Sequence, residues 1–336
     1  MNPPDWTRLG CFRALVSPEW DGPGLREALA ALPERLAGPG VVVLQAGRHV
    51  TFRLAVEADG QTFDLVVKRF GRQPLQKDLW DRLRGTKALR TYLAADYMRA
   101  HAIGTVPPVA CLERWKGLRL LDSCFVSLHL SGTVCLKDHL AEVWRRSDDG
   151  SAFAPLLALV ADGVRCLHDA GCAHGDLGNQ NIELVRGGDG FSGVAFLDLN
   201  RARFGRRLSV AERAGDLARL HLPRGLYGDF FKLYWRGEVP AGFDRAYRLR
   251  RFFFRLHGAT RTLRHPIRER RYRLHPETAP AQAGYPRAVP SSPDAPEGHY
   301  TDARGRRISR DEVASLPKGT TVYLFDAGQE RRQGKE

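Results

Sequence analysis

With 336 residues, 43% hydrophobic and 27% charged, the chain has the make-up of a soluble globular protein with room for one large domain or two ordinary ones. No apolar run reaches the roughly 18 residues of a membrane span, and the first residues lack the basic-then-apolar order of a secretory signal. Six scattered cysteines without a CxxC pair argue against a zinc site and for reduced, mostly buried thiols in a cytosolic protein. The net charge of +14 is uneven, because Arg201 to His275 holds 20 Arg and Lys against 6 Asp and Glu and so accounts for the whole excess. Such a surface suits an anionic partner, whether nucleic acid, phosphorylated substrate or lipid head group.

Residues 1–39 read as an N-terminal extension with one helix, "GLREALAALPERLAG", bounded by Pro and Gly. Three strand-like runs follow, "VVVLQ", "VTFRLAVE" and "QTFDLVVKRF", separated by glycine-containing turns as in an antiparallel meander. A helical stretch runs roughly from Leu83 to His101 and ends before "GTVPPV". "DSCFVSLHL" is a further strand, and "SGTVCLKDHL" leads into a helix. From Ala154, "APLLALVADGVRCLHDAG" places Leu156, Leu157, Val160, Val164 and Leu167 at helical spacing and stops at Gly171. After "AHGDLGNQNIEL" come short strands "IELV" and "VAFLDL", then helical patterns in "SVAERAGDLARLHL" and "FDRAYRLRRFFFRLHGATRTLRH". Phe252, Phe253, Phe254 and Leu256 of the last are expected in the core. Residues 276–298, with six prolines, read as a linker, and 299–336 as an appendix too small to hold a core alone. Within it, "SRDE" fits a capping box and "TTVYLF" a strand.

A strand-rich part (40–130) before a helix-rich part (131–275) predicts an α+β chain of two lobes with a cleft between them. Phosphoryl transfer needs a cation on the donor phosphates, metal ligands and a carboxylate beside the acceptor hydroxyl, and the chain offers them in order. Lys68 ends the third strand of the meander and is placed to reach nucleotide phosphates. Asp176, between a helix ending "LHDAG" and a strand, fits the acceptor-side base, and Asn181, five residues on, a metal ligand. His174 braces that loop. Asp198, 17 residues beyond Asn181 at a strand end, fits a second metal ligand. Asp216 fits a buried support. A polar turn rich in Gly, Asn and Asp is the structural alternative for the loop; its helix-before, strand-after context favours catalysis.

Together "VVKRF", "KALRTYLAADYMRAHAIGTVPPVA", "LHDAGCAHGDLGNQNIEL", "FLDLNRARF" and "AGDLARLH" resemble the bacterial lipopolysaccharide core kinases of the Kdo/WaaP family, within the protein-kinase-like superfamily, over roughly residues 40–275. "HGDL" with "DLNRAR" is nearer the Kdo-kinase branch. The resemblance implies a two-lobed protein-kinase-like fold, ATP and Mg²⁺ as cofactors, and transfer of phosphate to a sugar hydroxyl of the inner core, Kdo or heptose on lipid A. It also implies a cytoplasmic enzyme peripheral at the inner membrane. The usual glycine-rich loop is reduced to Gly47, Asp96 is the only carboxylate on the helix where a Glu partner for Lys68 is usual, and Asn200 replaces the usual glycine after the metal-binding Asp. Other readings are a small-molecule kinase of the aminoglycoside or choline type, which the basic second part disfavours, and a pseudokinase. A nucleic-acid binder lacks any recognition motif.

Overall fold

The computed structural model describes residues 5–47, 49–146, 153–222, 224–260, 287–292, 298–301, 307–317 and 320–326. The chain divides into two compact units. The first comprises Met1–Thr133 with two returning segments, His174–Asp176 and Ala195–Arg206; the second comprises Val134–Ala173, Leu177–Val194 and Arg207–Glu336.

The first unit is built on strands β1 (Thr7–Leu9), β2 (Phe12–Val16), β3 (Val42–Gln45), β4 (His49–Ala58), β5 (Gln61–Phe70), β6 (Pro108–Lys116) and β7 (Arg119–Leu128). They form one sheet in the order β1-β2-β6-β7-β5-β4-β3. The stretch read as an N-terminal extension is therefore part of the sheet: Arg13 to Val16 pair antiparallel with Glu113 to Ala110. Its alternation of buried Phe12 and Ala14 with exposed Arg13 is a strand pattern, too short to stand out beside the neighbouring helix. The meander forms as expected, with β4 and β5 joined through Asp59 and Gly60, both at positive φ (50° and 77°), the geometry of a type I′ hairpin turn. The helical stretch is two helices, α3 (Leu75–Arg84) and α4 (Lys87–Ala100), divided at Gly85.

Strand periodicity decides where Lys68 points. Leu65 and Val67 are buried in the core cluster with Leu54, Val126 and Leu112, packed with Leu25 and Leu29 of helix α1 (Pro23–Ala30) and Leu32 of the short α2 (Leu32–Arg35). Lys68, one residue out of phase with Val67, faces the other side of the sheet. Phe70 shares that side, and the ammonium groups of Lys68 and Lys87, the latter on α4, lie 5.7 and 5.9 Å from its ring centre. The start of α4 is pinned by its N-cap Thr86, which accepts from the Leu89 N–H and donates to buried Glu113 at 2.5 Å; Arg13 neutralises that carboxylate at 2.7 Å.

In the second unit, helix α5 (Leu136–Arg146) precedes α6 (Phe153–Asp169), whose expected stripe of Leu156, Leu157, Val160, Val164 and Leu167 is buried. Strands β8 (Thr133–Cys135), β9 (Ile182–Gly187) and β10 (Gly190–Phe196) form a sheet in the order β10-β9-β8. Helices α7 (Val210–Leu217), α8 (Tyr227–Trp235) and α9 (Phe243–Ala259) follow. Contrary to expectation, Phe252, Phe253 and Leu256 are exposed, at 59%, 55% and 44%, and Leu249 joins them. Helix α9 instead turns buried Phe243 and Arg251 inward, the latter to the carbonyls of Ala218 and Leu220 at 2.7 and 2.8 Å; Phe254 is half-buried against His221, and Phe252 and Phe253 face outward.

Strands β11 (Arg287–Pro290), β12 (Gly298–Thr301), β13 (Arg307–Ile308) and β14 (Thr321–Asp326) with helix α10 (Arg310–Ser315) form a small sheet in the order β11-β14-β12-β13. Part of the stretch read as a linker is thus strand β11, and the rest of it lies outside the described residues except Ser291, Ser292 and Gly298. The appendix has a core of its own, Tyr300, Ile308, Val313 and Val322, and the capping box at Ser309 and Glu312 is formed. All six cysteines are free; Cys111, Cys124 and Cys172 are buried, whereas Cys11 and Cys166 are exposed rather than buried as expected.

The Asp59 carboxylate accepts the N–H groups of Gly24 and Leu25 at 2.8 and 2.9 Å, capping α1 from a distant hairpin because its own N-cap, Gly22, has no side chain. Asp59→Ala should cost about 1–2 kcal/mol of stability by thermal or denaturant unfolding; an unchanged midpoint would show that water replaces this cap.

Candidate active site

The first unit brings Lys68, His174, Asp176 and Asp198 together. Lys68 Nζ lies 2.8 Å from Asp198 Oδ1. The Asn200 amide donates to the same carboxylate oxygen, so the residue standing in place of the usual glycine takes part in the site. Burial by itself would raise the Asp198 carboxyl, but the charge and hydrogen bond of Lys68, with the Asn200 amide, outweigh it and hold it below the ordinary carboxylate value. Asp198 sits in the left-handed region (φ 56°, ψ 53°), a conformation that costs a non-glycine residue free energy and tends to persist where function demands it.

The loop segment is fixed by backbone chemistry. His174 is fully buried, and its Nε2 lies 2.9 Å from the Leu197 carbonyl. A carbonyl only accepts, so Nε2 carries the proton and Nδ1 is left as acceptor for the Asp176 N–H at 3.3 Å. His174 thereby ties the loop to the residue before Asp198. Gly175 has φ +76°, and a Cβ there would lie 2.5 Å from the Arg201 carbonyl oxygen; only glycine satisfies both constraints. The Asp176 carboxylate lies 3.3 Å from Arg201 Nη1.

Two further residues escaped sequence reasoning. Arg201 was visible only as part of "DLNRAR", with no signal that it pairs with Asp176. Arg90, on α4, donates to the Asn200 carbonyl at 3.1 Å and to the Gly85 carbonyl at 2.6 Å, and pairs with Asp81 at 3.3 Å. An arginine on a helix facing a backbone carbonyl leaves no trace in spacing or composition.

The remaining candidates lie elsewhere. Asp96 is exposed on α4, where its charge acts on the buried Tyr92 phenol, raised to about 12 chiefly by burial; the ion pair of Lys68 is with Asp198 instead. Gly47 is in the exposed turn before β4, with extended backbone (φ 159°). In the second unit, Asn181 ends a short 3-10 turn, Asn179–Asn181, and is 8% exposed. The neighbouring Asn179 is fully buried, exchanging bonds with the His221 N–H and carbonyl at 3.0 and 2.8 Å. Asp216 is buried 3.3 Å from His168 Nε2, whose other nitrogen meets the Tyr234 hydroxyl at 2.6 Å. It supports the end of α6, the helix that leads into the loop.

Among the described residues no three His, Cys, Asp or Glu side chains gather as a metal cage. Mg²⁺ is commonly held by one or two carboxylates with substrate phosphates and water, and an ionised Asp198 has donor chemistry that fits it.

A model of the lipopolysaccharide kinase (Kdo/WaaP) family matches residues 40–226, more than half of the chain. The chain belongs to that family. A solved structure of WaaP in complex with acyl carrier protein is similar at 22% sequence identity, covering 77% of this chain and 99% of that one, with a TM-score of 0.47. No curated protein matches the sequence. Membership of a kinase family makes the chain a phosphotransferase, and the antiparallel sheet with helices followed by a mainly helical unit is the element order of a protein-kinase-like fold.

The depressed Asp198 carboxyl gives a direct test. Because its folded value lies below the ordinary one, the favourable Lys68 interaction is present above the ordinary carboxylate range and is lost only as pH falls through the lowered value. Lys68→Met should move the Asp198 titration, followed by carboxyl ¹³C NMR, upward; no movement would show that another group holds it.

Proposed function

We propose that the protein is an ATP-dependent kinase of a sugar hydroxyl on the lipopolysaccharide inner core, Kdo or heptose on lipid A. The observation that carries this reading is the Lys68–Asp198 pair at 2.8 Å, in the same unit as an Asp176 whose loop is clamped by His174. Lys68 would contact the nucleotide phosphates, and Asp198 would hold Mg²⁺. When bound, that ion offsets the charge on the transferred phosphoryl group. Asp176 would take the proton of the attacking sugar hydroxyl. Near-attack positioning and electrostatics supply most of the rate in such transfers, which is why a clamped loop and an ionised, charge-paired Asp198 matter more than a reactive nucleophile.

The exposed stripe of α9 supports peripheral attachment at the cytoplasmic face of the inner membrane. Leu249, Phe252, Phe253 and Leu256 follow helical spacing, with exposed Arg245, Arg248 and Arg255 around them, a composition that binds anionic interfaces. Helix α3 carries a second exposed set, Leu75, Leu79 and Leu83. Among the described residues no helix is long and apolar enough to cross a membrane. A choline-like cationic substrate would instead call for acidic surroundings.

Asp176→Ala should lower acceptor-dependent phosphate transfer from ATP to Kdo-bearing lipid A by about 10²–10⁴-fold, and Asp198→Ala should abolish it. ATP binding without transfer would favour the pseudokinase reading or another acceptor; near-full turnover of Asp176→Ala would remove that residue from the role of base. Independently, the protein should sediment with anionic vesicles, less so as salt rises, and Phe252→Ser with Phe253→Ser should weaken that binding. Salt-independent binding, or none, would count against the membrane reading.

A further inference from the structure

A second feature of the first unit is a concentration of arginines. A cavity of about 310 Å³ is lined by Arg84, Arg90, Arg201 and Arg203, with Trp80 and Asp81. Its volume is at the lower end of the roughly 300–1,000 Å³ of small-molecule sites. Asp81, the single carboxylate in the wall, is already engaged by Gln73 at 2.5 Å and Arg90 at 3.3 Å. Four guanidinium groups around one committed carboxylate leave a concentrated positive field, and planar guanidinium groups match phosphate oxygens in pairs.

The groups differ in how firmly they are held. Arg90 is fixed by the carbonyls of Gly85 and Asn200 and by Asp81, so its charge is positioned in advance. The Arg84 guanidinium lies 4.9 Å from the centre of the Trp80 ring; that indole, 57% exposed, offers a flat apolar surface at the cavity wall. Arg201 is the most telling member. Its side chain is 60% exposed and pairs with the Asp176 carboxylate at 3.3 Å, so one residue belongs both to the cavity and to the candidate base.

We propose that this cavity seats a phosphomonoester already carried by the sugar acceptor, with Trp80 against the apolar face of a pyranose ring. This rests on the sugar-kinase reading above and adds to it a recognition element: the acceptor is read by a phosphate it brings, at a place other than the one where it receives a new one. Arg201 gives the site a consequence for chemistry. Without bound phosphate, Arg201 pairs with the Asp176 carboxylate and competes for the lone pairs that a sugar hydroxyl needs. A phosphate in the cavity draws the flexible guanidinium toward itself and leaves the Asp176 carboxylate open to accept that hydroxyl proton. Acceptor binding and release of the base are then one event, and water alone does not trigger it.

The test begins with inorganic phosphate, titrated calorimetrically at about pH 7.5, above the second phosphate pKa of about 6, and at low salt. Wild type should bind one phosphate. Arg84→Gln with Arg203→Gln, both exposed positions, should weaken it at least about tenfold, whereas Lys68→Met should change it less than twofold. Loss in Lys68→Met with retention in the arginine variant would assign the ion to the nucleotide site and overturn the proposal. In detergent micelles, wild type should prefer phosphorylated over enzymatically dephosphorylated acceptor in kcat/KM, and the arginine variant should lose that preference. An undiminished preference would also overturn it. Binding to anionic phospholipid vesicles lacking acceptor should be the same in both proteins; a fall confined to vesicles would make the lipid head group the source of phosphate and reject an acceptor subsite. If no acceptor supports transfer, the kinase reading fails while the calorimetric comparison still decides the cavity.

Discussion

The first unit is organised around one ion pair, Lys68 with Asp198, joined across 130 residues of sequence at 2.8 Å. Each partner reaches it through a separate constraint. Lys68 arrives because Val67 is committed to the core, and a strand offers its next residue only the opposite face. Asp198 arrives through a left-handed backbone turn after β10. A partly buried pair gives up hydration on both charges, so it is weak evidence for stability by itself. Its retention beside a strained backbone is better explained by use: the cation and the anion are what a nucleotide phosphate and its metal would each require.

Around that pair the loop is held by groups that do not react. The His174 ring links the Leu197 carbonyl to the Asp176 N–H, which fixes both its tautomer and the loop's position. Gly175 permits the close approach of the Arg201 carbonyl, so the loop and the segment after Asp198 are set against each other before any ligand enters. Preorganisation of this kind is how a phosphotransferase lowers its barrier, since little reorganisation then remains for the moment of transfer. In the second unit, the buried His168, Asp216 and Tyr234 cluster anchors the end of α6, which fixes where the loop departs.

What the sequence disclosed follows periodicity and local chemistry. The stripe of α6, the meander of β3 to β5 and the Asp176 loop were legible because each is a pattern within twenty residues or so. Strands β1 and β2 were not, since three and five residues give too little alternation and the partner that joins them to the sheet through β2, β6, is nearly a hundred residues away. Phe252 and Phe253 of α9 were misassigned to the core for a related reason. Hydrophobicity ranks side chains by preference, but Arg251, satisfying two carbonyls and the Tyr227 hydroxyl, took the inward position, and periodicity cannot show which of two faces is covered. Arg201 and Arg90 were invisible because their partners are a distant carboxylate and backbone carbonyls.

Arg90 also bears on the missing glutamate. Protein kinases couple the helix after the third strand to the phosphate-binding lysine through a Lys–Glu pair. Here α4 has no Glu, Asp96 is exposed, and Lys68 is paired with Asp198. The helix is joined to the segment after Asp198 instead, through the Arg90 guanidinium and the Asn200 carbonyl at 3.1 Å. The Arg90 guanidinium pairs with the Asp81 carboxylate as well as with that carbonyl, and the residue supplying the carbonyl is the one whose amide holds Asp198. The change of sign on the helix therefore does not remove the coupling between helix and site. It moves the coupling from the lysine to its carboxylate partner, where Asn200 stands in place of the usual glycine.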